Sequence, residues 1–230
     1  MKTIHNLRHI RTAATGLGLL SLMGTSLSLP LTASAKLPAA STANSSATLS
    51  VLSEGGENVY DAAKAGNWKT AAVKTNAVDR AARALPPHWK TMASQFRLSS
   101  SLGKLRSAVQ THQKWRAMHE ANRVTLFAAQ ISRDTAPRIP VEVTLLDVYG
   151  RDLEVGAATR NTVQLATASR DLQNTWQKVR PSVLQHGGKT QARTFDGLMA
   201  RVSKGSPIEY SIVATKVLDE VDNLESVFAK

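Results

Sequence analysis

LSEGGENVYDAAKAGNWKTAAVKTNAVDRAARALPP, residues 52–87, decides the fold. Leu52, Gly56, Val59 and Ala63 recur at three- and four-residue spacing, which brings them to one face of a helix. After Gly66-Asn67 the stripe resumes as Trp68, Ala71, Thr75, Val78, Ala82 and Leu85, and Pro86-Pro87 stops it. The period is helical and β-branched alternation is scarce, so the chain is predicted to be all-α.

Working outward, a second helix is predicted from about 100 to 132. Leu102, Leu105, Val109, His112, Trp115, His119, Asn122, Leu126 and Ala129 lie on its inner face. Pro137 and Pro140 bracket the next connection. A third helix carries Leu146, Gly150, Leu153, Ala157, Leu165, Leu172, Trp176 and Val179 until Pro181 and Gly187-Gly188 end it. A fourth carries Phe195, Leu198, Met199 and Val202, breaks at Gly205 and restarts at SPIE, residues 206–209. There Ser206 is the expected N-cap, Pro207 the first helical residue and Glu209 the closing member of a capping box.

The third helix repeats the first at an ungapped offset of about 94 residues. The offset pairs Leu52 with Leu146, Gly56 with Gly150, Ala63 with Ala157, Asn67 with Asn161, Ala72 with Ala166, Pro87 with Pro181 and Gly103 with Gly197. Large and small residues exchange places: Ala82 matches Trp176, and Trp68 matches Thr162. Such reciprocity suits two copies filling a shared core. The expected architecture is an antiparallel four-helix bundle of two duplicated helical hairpins, about 51–134 and about 138–230. GNWKTAA, residues 66–72, resembles the Gly-x-Trp-x-x-Ala opening of tetratricopeptide-type hairpins. It does so without their period of about 34 residues and assigns no family.

The first 35 residues have the parts of an export signal. Lys2, Arg8 and Arg11 precede the apolar AATGLGLLSLMGTSLSLPLT, and TASA precedes Lys36, so a cut after Ala35 is predicted. Residues 36–50, KLPAASTANSSATLS, read as a flexible tether, and the folded domain is expected over 51–230. No later stretch is long and apolar enough to span a bilayer, which makes the expected location periplasmic or secreted. The chain has no cysteine. That excludes disulfides, thiolate metal sites, a lipidated cysteine and covalent c-type haem attachment.

Charge divides the chain. The whole has 29 Lys and Arg against 17 Asp and Glu, and removal of Lys2, Arg8 and Arg11 with the signal leaves a net +9. Residues 64–138 carry 14 basic and 3 acidic residues, whereas residues 142–230 carry 11 of each. Phosphate neutralisation would suit nucleic acid, but export argues against it. An acidic protein, anionic lipid or cell-wall polymer is the expected partner. Lys69, Arg80, Arg83, Lys104, Arg106, Arg116 and Arg123 are the expected contributors.

THQKWRAMHEANR, residues 111–123, places His112 and His119 seven apart. On one helix they would point the same way, separated by about 10.5 Å of rise, too far to share one metal ion easily. With Asn122 they form a polar insertion in an apolar face, where buried polar groups need partners. Asp147, Asp152 and Glu154 are the acids a neighbouring helix would bring. Met92, Met118 and Met199 with His88, His112, His119 and His186 would suit copper, and the histidines zinc, although core filling is the ordinary role of each methionine. No nucleophile elbow, phosphate loop or HExxH occurs, so no enzyme and no cofactor is predicted. Two readings follow: a non-catalytic exported bundle that binds an acidic partner or envelope surface through its basic first hairpin, and a periplasmic metal- or small-ligand-binding bundle using His112 and His119.

Overall fold

The computed structural model describes residues 39–135 and 137–229. Among the described residues it is all-α, with nine α-helices and no strand. They are α1 (Ala39–Lys64), α2 (Trp68–Arg83), α3 (Pro87–Gln95), α4 (Leu98–Gln110), α5 (Lys114–Ser132), α6 (Val141–Thr159), α7 (Thr162–Gln185), α8 (Lys189–Val202) and α9 (Pro207–Phe228). No described helix is long and apolar enough to cross a membrane. The expected signal peptide lies outside the described residues.

The helix ends follow from local chemistry. Gly66, at φ 72°, ends α1 in the left-handed region, and the Asn67 side chain then caps α2 by accepting from Thr70 N at 3.1 Å. Asn161 caps α7 in the same way through Gln164 N, also at 3.1 Å. Ser206 caps α9 through Glu209 N at 3.4 Å. Each cap satisfies one of the donors that a helix start leaves without a partner.

Three expected boundaries are corrected. First, α1 begins at Ala39, so residues 39–50 are helical where a tether was expected; Leu49 and Leu52 anchor this segment in the core. Second, the expected helix over 100–132 is broken at residues 111–113. His112 takes φ 54°, and Thr111 Oγ1 donates to the Ser107 carbonyl at 2.7 Å. Third, Pro181 does not end the third helix, because α7 runs through it to Gln185. Paired prolines do coincide with a stop, α2 finishing at Arg83 before Pro86-Pro87.

Apolar stripes gather into two main cores. In the first, α1 packs on α2 and α5, and α4 packs on α2 and α5, around Leu52, Val59, Leu105, Met118, Phe127 and Ile131. In the second, α6 packs on α7 and α9, and α8 packs on both α7 and α9, around Leu146, Leu153, Leu172, Phe195 and Leu224. The two halves meet where α5 packs on α6, over a small cluster of Ala129, Val141 and Leu145. Trp68 and Ala82 border the first core and Trp176 sits in the second. Their exchange of size therefore does not fill a shared core.

Beside this seam lies a buried ionic layer. The Arg151 side chain of α6 is only 7% exposed; it pairs with Asp147 at 3.0 Å and lies 3.8 Å from Glu57 of α1. Its guanidinium also stacks 5.0 Å over the Tyr60 ring, while its Nη1 has no partner. Tyr60 donates to Glu154 at 2.8 Å, and Lys64 pairs with the same carboxylate at 2.6 Å.

Candidate functional site

The residues singled out from sequence do not gather in one place. His112 is exposed in the turn between α4 and α5, stacked on Trp68 with ring centroids 4.8 Å apart and an interplanar angle of 13°. The break in the helix thus removes it from His119, and the expected pairing of the two imidazoles on one face is corrected. Asp147 and Glu154 belong to the buried ionic layer, again away from His119.

His119 and Asn122 instead reach Asp152 of α6. Buried Asn122 donates through Nδ2 to the Val148 carbonyl at 2.8 Å and to Asp152 Oδ1 at 3.0 Å, tying α5 to α6. Gln164 of α7 brings its Nε2 to 3.3 Å from both Asp152 Oδ1 and His119 Nδ1. The amide nitrogen can only donate, so its contact with the imidazole is a hydrogen bond when Nδ1 is free to accept. His119 Nδ1 and Asp152 Oδ1 are 3.9 Å apart, beyond a hydrogen bond. Burial pushes the Asp152 carboxyl up, opposed by the bond from Asn122, the charge of His119 and the bond from Gln164.

This cluster lies in a cleft of about 800 Å³ between α5, α6 and α7. The α5 wall supplies Trp115, Arg116, His119, Arg123 and Leu126, residues that recur at helical spacing. Tyr149, Asp152, Val155 and Thr159 of α6 form the floor, and Val163, Gln164, Thr167 and Asp171 of α7 form the far wall. Trp115 was expected on the inner face; it is 37% exposed. The Arg123 guanidinium is held 5.1 Å over the Phe96 ring, with Nε donating to Ser101 Oγ at 3.1 Å. The Tyr149 hydroxyl is pushed up by burial and then by Asp171 and Asp152, which marks this side of the cleft as acidic.

A second depression, of about 540 Å³, lies among α2, α3 and α4. Arg83, Lys90, Arg97 and Arg106 surround it, with Ser94 and Ser99. Its single carboxylate, Asp79, pairs with both Arg83 and Arg106, the latter at 2.9 Å. Of the seven cations expected to bind a partner, only Arg83 and Arg106 meet here. Arg116 and Arg123 line the cleft, Lys104 lies 3.9 Å from buried Glu120, and Lys69 and Arg80 are exposed on α2.

Among the described residues no group of three or more His, Asp or Glu is arranged to hold a metal ion. Met118 and Met199 are core residues, and Met92 packs at the edge of the first core. His186 Nδ1 lies 2.8 Å from the Ser182 carbonyl, with its ring against Phe228. Gln164, Tyr149 and Asp171 were missed from sequence because an amide, a phenol and a surface acid carry no motif. No family model matches the chain, and neither curated proteins nor solved structures show a significant likeness to it.

Proposed function

We propose that the chain is an exported, non-catalytic helical protein that binds a partner carrying several anionic groups through its basic first half. The partner classes are those expected from charge and location: an acidic protein, anionic lipid or cell-wall polymer, with nucleic acid disfavoured by the expected export. Removal of the signal near Ala35 would deliver the mature chain to the periplasm or the exterior.

The carrying observation is the depression among α2, α3 and α4, which four cations line together with one carboxylate, shared by Arg83 and Arg106. Exposed Lys90 and Arg97 have no ion pair among the described residues. Like charges gathered in this way repel one another, and an anionic partner relieves that repulsion. Contacts of this kind are screened by salt, with a Debye length falling from about 10 Å at 0.1 M to about 3 Å at 1 M.

We also propose that the two halves are copies of one unit. Supporting this, the order α1, α2, α4, α5 and its packing recur as α6, α7, α8, α9. Gly66 and Arg160, matched by the offset, both have positive φ, and the matched Asn67 and Asn161 both cap helices. The repeating unit in this reading is four helices, with α3 of the first copy standing where the second continues as the last turn of α7.

The test measures binding of residues 36–230 to anionic vesicles, to a soluble polyanionic wall polymer and to an acidic protein in rising salt. At least one class is expected to bind and to lose tenfold or more of its affinity between about 0.1 and 1 M salt. Lys90→Gln/Arg97→Gln should weaken that same complex at low salt without lowering the melting temperature. A salt-insensitive complex, no complex with any class, or one indifferent to both substitutions overturns the proposal.

A further inference from the structure

The cleft between α5, α6 and α7 is remote in role from the basic depression and stands on its own observations. We infer that it binds a small zwitterion with an apolar body, of the free amino acid or dipeptide class. The ligand carboxylate meets Arg116 and its ammonium meets Asp152, with Arg123 and Asp171 adding charge of the same sign along each side.

Size comes first, since about 800 Å³ falls within the range of small-molecule sites. Apolar surface comes second. Trp115 is 37% exposed and Val163 75% exposed, and both line the cleft. An apolar ligand body would remove this surface from water at a gain that scales with its area.

Charge then selects the ligand. The α5 wall presents guanidinium groups, whereas the opposite side presents carboxylates. A purely anionic molecule would meet Asp152 and Asp171, and a purely cationic one would meet the arginines. Only a molecule with both signs complements both sides. The recognising groups are also positioned in advance. Phe96 and Ser101 hold Arg123, and the amides of Asn122 and Gln164 both bond to Oδ1 of Asp152, leaving Oδ2 for an arriving ammonium. Orientation fixed before binding lowers the entropy lost on association.

The experiment titrates residues 36–230 with the dipeptide Phe-Leu, its N-acetyl derivative and its C-terminal amide, read by calorimetry and indole fluorescence. The free-ended dipeptide is expected to bind with Kd below about 1 mM, and either cap to weaken binding about tenfold, the scale of one lost charged contact. Arg116→Gln should weaken the free-ended dipeptide but leave the already weakened amide unchanged. Trp115→Phe should abolish most of the fluorescence response, and melting curves will establish that both variants are folded. Absence of saturable binding by the free-ended dipeptide overturns the inference. So does equal binding of the capped forms, or affinity unaffected by Arg116→Gln in the folded variant.

Discussion

Gly56 lies where α1 packs against α5. A Cβ built on it would meet Thr125 Oγ1 at 2.5 Å, the Ala121 carbonyl oxygen at 3.0 Å and Thr125 N at 3.1 Å. Two of these atoms are backbone and cannot turn aside, so Gly56→Ala should destabilise the protein by about 1–3 kcal/mol in denaturant unfolding. Its sequence counterpart Gly150 would bring a Cβ to 3.0 Å from side-chain atoms of Val217 and Leu218. Rotamers there can yield, and Gly150→Ala should cost less. Both glycines are visible on the sequence stripe, but a stripe does not reveal how closely backbones approach. His112 fails for a different reason. Its positive φ is accessible to a histidine at modest cost, and with no Gly or Pro nearby to announce a turn, the helical period reads straight through it. Loss of that residue from the inner face dissolved the expected imidazole pair, whereas Asn122 was legible because a polar residue on an apolar face demands a partner; Asp152 was one of three candidate acids, and its spacing did not single it out.

Helix boundaries were legible where side-chain chemistry marks them. Ser206, Pro207 and Glu209 announced α9, and Pro86-Pro87 announced the end of α2. They were hidden where a larger residue adopts a glycine-like conformation. Arg97 and Arg160, both in the left-handed region, terminate their segments without any warning in composition. Arg160 follows α6 at φ 54°, and relief of that conformation by Arg160→Gly should stabilise the protein by about 0.5–1 kcal/mol. Equilibrium urea unfolding of the variant checks it, and a lower midpoint at unchanged slope would contradict it. Pro181 shows the converse. One proline removes a single donor, and α7 continues because its buried stripe, Trp176, Val179 and Val183, still packs in the second core.

For the molecule as a whole, helical class and charge asymmetry were legible in the sequence, whereas two main cores in place of one were not. Periodicity identifies a buried face but does not say which other face covers it. The ionic layer at the seam also sets a pH dependence. Burial raises the Asp147 carboxyl from 3.8 to about 7, opposed by Arg151 on its own helix and reinforced by Glu57 of α1 and by Glu225 and Asp222 of α9. The folded state therefore holds a proton that the unfolded chain has released. The resulting stability is complete below about pH 4 and lost as pH rises through about 7, at no more than about 1.4 kcal/mol per pH unit. Thermal melts between pH 5 and 8 should fall with pH, and Asp147→Asn should make the fall shallower, leaving the part that comes from Asp152, which is raised in the same direction.

The same layer constrains how the halves can be assembled. The Arg151 side chain is almost wholly buried, and its carboxylates come from two different helices. Sliding α6 along α1 would carry Asp147 with Arg151 but leave Glu57 and Tyr60 behind, so a buried guanidinium would lose its α1 partners. Neighbouring alignments are thereby disfavoured. The joint is keyed: its charges choose one fit between the two blocks more than they tighten it.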